Sequence, residues 1–177
     1  MTSADLLTDG FGRIRESVEN ATAGLSAGQL AERLTPDANP VSWLIWHLAR
    51  VQDDHVSKAF GVQQEWVSGQ WATRFGLPPQ MMDHGYGHTS AEVSNLAAAV
   101  TGASPSPGKL LVEYYDAVHA QTIPLVSQVT DADLERVVDL GWDPPVTLGV
   151  RLVSVLDDAA QHVGQAAYVR GILVNRA

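Results

Sequence analysis

With 177 residues, 45% of them hydrophobic, the chain is sized for one domain, residues 1–177, with a sizeable core. Its net charge is −9, and only eleven Lys and Arg are scattered along it, so no basic face is available for nucleic acid or an anionic membrane surface. It has no cysteine, which excludes a disulfide framework, a thiolate zinc site and a thiol nucleophile of its own; any metal must be held by His and carboxylate.

The opening stretch, MTSADLLTDGFGRIRESVEN, is charged and amphipathic, unlike a signal peptide, and no apolar run spans a bilayer. A soluble cytoplasmic protein is expected. Helical periodicity dominates and alternating, strand-like runs are scarce. A first helix is predicted over about residues 4–22, with Leu6, Leu7, Ile14 and Val18 inward. The connector after it has capping-box spacing from Ser26 to Gln29, enough for a short helical turn. A second helix begins with Pro40 as its first residue, capped by Asn39, and runs to about Ala59, where Gly61 is a stop signal.

Residues 61–104 are rich in Gly, Trp, Pro and His and form an elaborated connection of the kind that walls a site, with a short helix from about Ser90 to Val100. A third long helix starts near Pro107 and carries Leu110, Leu111, Tyr114, Tyr115 and Val118, with Pro124 bending it or breaking one turn. After DADLER and the loop LGWDPP, a fourth long helix covers about Thr147 to Leu173, with Thr147 as its cap. The predicted architecture is all-α: a four-helix bundle with a long connection between its second and third long helices.

At about 100° per residue, Trp43, His47, Val51 and Asp54 share one stripe of the second helix, with Leu44, Leu48 and His55 to one side. On the fourth helix Asp158 and His162 are four apart on one face, in the same arc as Val155, Ala159, Ala166 and Val169. One inward His plus an Asp-x-x-x-His pair makes three potential ligands, and three protein ligands with open positions is the pattern of catalytic metal sites. On the residues alone a second reading stands beside this one. A histidine in an apolar stripe is ordinarily a hydrogen-bonded core residue, and Asp-x-x-x-His is a common helical spacing.

The stretches NPVSWLIWHLARVQDDH and DDAAQHVGQAAYVRGIL, with their separation and the four-helix layout, resemble the DinB-like superfamily of four-helix metalloproteins, which includes mycothiol- and bacillithiol-dependent transferases. The resemblance covers essentially the whole chain. It implies a facial triad in which His47 joins two ligands from an H-x-x-x-H-x-G-Q segment, matched here by Asp158 and His162. Asp158 stands where many members have His, and the mycothiol-dependent maleylpyruvate isomerase branch has Glu; Asp is shorter and allows contact through a water. The implied cofactors are a divalent metal, with zinc or nickel the first choices, and a low-molecular-weight thiol such as mycothiol, or bacillithiol or glutathione. The implied activity is S-transfer or thiol-assisted isomerisation on a small-molecule substrate, and homodimers through helix faces are common in such families. Two other functions stay open: a non-catalytic small-ligand-binding or stress-response bundle with a degenerate site, and a metal-dependent hydrolase using a bound water.

Further polar residues are candidates around that centre. Asp54 is read as an acceptor for a ligand histidine's N–H or as a carboxylate near the helix end, and His55 as a substrate-facing acid or base or a polar rim residue. Trp142 and Asp143, just before the fourth helix, line the cavity mouth or anchor a loop. Arg151, two turns before Asp158, pairs with that carboxylate, binds an anionic substrate or forms a surface ion pair. His84 and His88 are four apart, but Gly85 and Gly87 argue against a helix there, so a lid or pocket wall is expected. His119 is read as a bundle-surface or core-edge residue. The string SPGK, Ser106 to Lys109, has a Ser-x-x-Lys spacing, but its Pro and Gly preclude the regular turn that would align the pair.

Overall fold

The computed structural model describes residues 1–176. In chain order the elements are α1 (Ser3–Thr22), α2 (Ala27–Ala31), α3 (Val41–Phe60), α4 (Glu65–Ser68), α5 (Trp71–Arg74), α6 (Ser90–Gly102) and α7 (Pro107–Val126), a 3-10 turn at Asp133–Glu135, β1 (Val137–Asp139), β2 (Val146–Thr147) and α8 (Leu148–Asn175). The long helices α1, α3, α7 and α8 form the bundle, with α3 packed chiefly on α8 and α7, and α1 closing the other side against the same two helices. Among the described residues no helix is long and apolar enough to cross a membrane.

Most of the helix boundaries follow local signals. The Ser26–Gln29 capping box is formed and starts α2. Thr147 caps α8 through its hydroxyl, which accepts from the Val150 N–H. Gly61 terminates α3 at φ +68°, a left-handed conformation. At the start of α3 the expectation is off by one: Pro40, not Asn39, is the N-cap, at φ −76° and ψ 162°, with no side-chain cap. The ring's fixed φ suits the extended cap as well as the first helical turn. Pro124 lies inside the last turn of α7, which continues to Val126.

The inward stripe of α1 is Leu7, Phe11, Ile14, Val18 and Ala21; Phe11 is fully buried, whereas Leu6, expected inward, is 58% exposed. Steps of four and three residues fix that stripe, and Leu6 lies about 100° away from it. The small antiparallel pairing of β1 with β2 was not expected, because strands of three and two residues carry no readable alternation.

Helix α3 is buried almost all round from Val41 to Asp54. One side meets the bundle and the other is covered by the connection of residues 61–106, whose Trp66, Trp71 and Phe75 pack on Tyr114 of α7 at ring-centroid distances of 5.2–5.8 Å. Its buried amide is matched: Gln52 accepts from the Tyr115 hydroxyl at 2.9 Å and donates to the Thr122 hydroxyl at 3.0 Å. The connection therefore roofs the face of α3 beside His47.

Candidate metal centre

Helices α3 and α8 bring His47, Asp158 and His162 together. The Nε2 atoms of His47 and His162 lie 3.9 and 3.6 Å from Asp158 Oδ1, and one ligand atom of each residue lies within 4.8 Å of the others. The two imidazoles meet edge to face at a centroid distance of 4.7 Å. Two ligands of one zinc-like ion, each about 2.0–2.2 Å from it, stand about 3–4 Å apart, so these separations are close to ligating ones. Among the described residues this is the cluster of His and acidic side chains gathered closely enough to hold one ion.

Both imidazoles are oriented from behind. The His47 Nδ1–H donates to the backbone carbonyl of His84, and the His162 Nδ1–H donates to Gln165 Oε1 at 2.9 Å. Each bond leaves the Nε2 lone pair facing the cluster, the arrangement that fixes tautomer and ring direction in metal-bound histidines. Burial pushes the His47 pKa down to about 4, so the ring is neutral at pH 7. Burial also pushes the Asp158 carboxyl up, against the pull of nearby His162. Asp158 Oδ2 is buried and has no hydrogen-bond partner. An orphaned carboxylate oxygen beside two imidazoles whose Nε2 atoms face it is a donor set that fits a divalent cation.

The roof over His47 is tightly built. Trp43 stacks on the His47 ring at 4.5 Å with an interplanar angle of 12°. Gly85 lies against the same rings at φ +89°, where an added Cβ would come within 2.9 Å of Trp43 and 3.1 Å of His47 Nδ1. Trp43 Nε1–H donates to His88 Nδ1 at 3.2 Å, and the His88 Nε2–H donates to Asp83 at 3.0 Å. His84 and His88 thus wall the site, as their glycine-rich setting implied.

The mycothiol-S-transferase family profile matches residues 6–174, which spans α1 to the end of α8 and includes the whole cluster. The chain belongs to the mycothiol-S-transferase family. It is similar over 99% of both chains, at 31% identity and a TM-score of 0.86, to a crystal structure described as the conserved protein of a locus from Enterococcus faecalis. No curated protein matches it.

Several candidate residues of this mycothiol-S-transferase family member sit otherwise than their spacing implied. Asp54 shares a helical stripe with His47, yet it accepts from Gln64 Nε2 at 2.7 Å and faces His55 Nδ1 at 3.5 Å, contacting neither His47 nor His162. The acceptors for His47 and His162 are the His84 carbonyl and Gln165. Gln165 stands one turn beyond His162 in the family-like segment, which was a usable signal; a backbone carbonyl gives none. Arg151 pairs with Asp139 at 2.8 Å instead of with Asp158, and Trp142 is 66% exposed on the loop between β1 and β2. His55 is half-buried, held toward its neutral form by burial first and Arg151 second, and its ring lies 6.1 Å from that of His84. His84 Nδ1 is buried without a partner. His119 lies apart on α7, beside Tyr115 at 6.4 Å, and burial holds it toward neutral, with Arg15 and Asp116 the charges it senses.

Proposed function

We propose that this protein is a metal-dependent S-transferase that uses a low-molecular-weight thiol, with His47, Asp158 and His162 as the protein ligands of a zinc or nickel ion. The observation that carries the reading is the triad itself: two imidazoles with Nε2 free and Nδ1 tied down, and a carboxylate whose buried Oδ2 lacks a partner. An ion held there supplies the Lewis acidity that makes a bound thiol a thiolate at neutral pH. One anionic ligand among three leaves a divalent centre with net positive charge, which favours an anionic sulfur.

The chain has no cysteine, so the thiol must arrive as a small molecule, and the family name makes mycothiol the first to try. His47 and His162 act as oriented nitrogen donors. Trp43 and residues 83–88 keep water from the far side of His47. His55, half-buried and held toward its neutral form beside Asp54, is the candidate acid or base toward a substrate that extends beyond the triad, with Asp54 stabilising the imidazolium that forms. Arg151 and Trp142, flanking the start of α8, are candidates for holding an anionic or apolar part of the thiol or the acceptor substrate.

The test is a conjugation assay with zinc- or nickel-loaded protein, a fluorogenic electrophile and, in turn, mycothiol, bacillithiol and glutathione. The proposal expects a rate above background with one of these thiols, lost in His47→Ala and His162→Ala. Stoichiometric metal without thiol-dependent conjugation by any of the three overturns it.

A further inference from the structure

One turn beyond His47, α3 carries a fully buried arginine, Arg50. Burying a guanidinium is unfavourable unless every donor is used, and an apolar side chain of similar size commonly serves a bundle core as well or better. Here every nitrogen is engaged. Nη1 lies 3.3 Å from both Asp53 Oδ2 and the Tyr114 hydroxyl, and Nη2 donates to Gln64 Oε1 at 3.1 Å. The remaining bonds go to backbone: Nη2 to the Met81 carbonyl at 2.6 Å and Nε to the Asp83 carbonyl at 3.1 Å. Trp66 packs against the guanidinium face, its centroid 4.7 Å from Cζ.

The two carbonyls belong to the run of chain that delivers the His84 carbonyl to His47 Nδ1. That run lies outside every helix and strand, and Met81 and Met82 are exposed, so little apolar burial holds it down. Two residues of α3, His47 and Arg50, therefore donate to three backbone carbonyls of one short segment, those of Met81, Asp83 and His84. A planar guanidinium can direct separate donors at the Met81 and Asp83 carbonyls at fixed angles; a lysine ammonium cannot reproduce that fork.

Resting on the triad reading above, we propose that Arg50 is a positioning residue for the metal centre: it pins residues 81–84 so that the His84 carbonyl holds the His47 ring with Nε2 toward Asp158 and His162. Its partner Asp53, which also accepts from the Glu65 and Trp66 N–H groups at 2.8 Å, fixes the arginine from the opposite side.

The test uses full-length protein titrated with Co²⁺, whose visible absorption reports ligand geometry, and with Zn²⁺ against a chromogenic chelator. Wild type taking up one ion per chain, lost in His47→Ala, upholds the triad; a wild type that takes up none overturns the triad and this inference together. With the triad upheld, Arg50→Lys is expected to bind Zn²⁺ about tenfold more weakly, the lower end of the effect of losing support behind a ligand, and to shift the Co²⁺ bands. Tyr114→Phe removes a bond of the same buried cluster away from residues 81–84, and is expected to lower the melting temperature with metal binding and spectrum unchanged. Should Arg50→Lys not fold, Arg50→Gln with Asp53→Asn removes both buried charges and is compared with Asp53→Asn alone, which keeps the two carbonyl bonds. Unchanged affinity and spectrum on loss of Arg50, or equal losses in the paired controls, overturns the inference while leaving the triad standing.

Discussion

Replacing Gly85 by alanine probes the contact on which the orientation of His47 depends. At φ +89° an L side chain is strained by about 1–2 kcal/mol. The new Cβ would also sit 2.9 Å from Trp43, 3.1 Å from His47 Nδ1 and 3.1 Å from Trp46, all rings fixed by packing. Residues 83–88 must then retreat by a few tenths of an ångström, which weakens the His84–His47 hydrogen bond, worth about 1 kcal/mol. The metal-free variant is expected to lose about 2–3 kcal/mol in urea denaturation. Its zinc affinity, by chelator competition, should fall about 10- to 100-fold. Gly87→Ala is the internal control: it has φ +76° and nothing within 4 Å of its Cβ, so it bears the backbone strain alone and should leave zinc affinity unchanged. If Gly85→Ala matches Gly87→Ala in both stability and affinity, the close approach plays no part in holding His47 and the reasoning fails.

The remaining predictions concern pH, charge and packing. The folded state holds His47 neutral down to about pH 4, whereas the unfolded chain protonates it near 6.5, so metal-free protein should lose about 2 kcal/mol from this residue between pH 7 and pH 5. His55 and His119 shift in the same direction and steepen the loss; urea denaturation in chelator should show a shallower pH slope for His47→Gln, and equal slopes would refute the assignment. Asp158→Asn should stabilise the metal-free fold by about 1 kcal/mol or less, because burial disfavours its carboxylate and Oδ2 lacks a partner, while weakening zinc binding strongly. A less stable metal-free Asp158→Asn would contradict that account. Phe11→Ala, at a fully buried position of α1, should cost about 3–5 kcal/mol in urea denaturation, and a loss under 1 kcal/mol would place Phe11 outside the core.

The bundle and the gathering of His47, Asp158 and His162 were legible because both rest on helical period. Spacing of apolar residues set the long helices, and the four-residue step from Asp158 to His162 put two candidate ligands on one inward face. The same angular rule misled at Asp54: seven residues beyond His47 it shares the stripe but lies about 10 Å along the axis, too far to support that ring. The His84 carbonyl was hidden because any residue type supplies one. Arg50 and Asp53 were hidden for another reason. A charged pair three apart reads as a solvated helix face, and only the cover provided by Trp66, residues 81–84 and Tyr114 turns it into a core element.

The central claim is that His47, Asp158 and His162 hold a metal, and elemental analysis of protein purified without a His-tag tests it most directly. About one zinc or nickel per chain is predicted for the wild type and none for His47→Ala or His162→Ala, each checked for folding. A wild type that carries no metal, and takes up none from added Zn²⁺, Ni²⁺, Mn²⁺ or Fe²⁺, would make His47 an ordinary buried histidine and contradict the account.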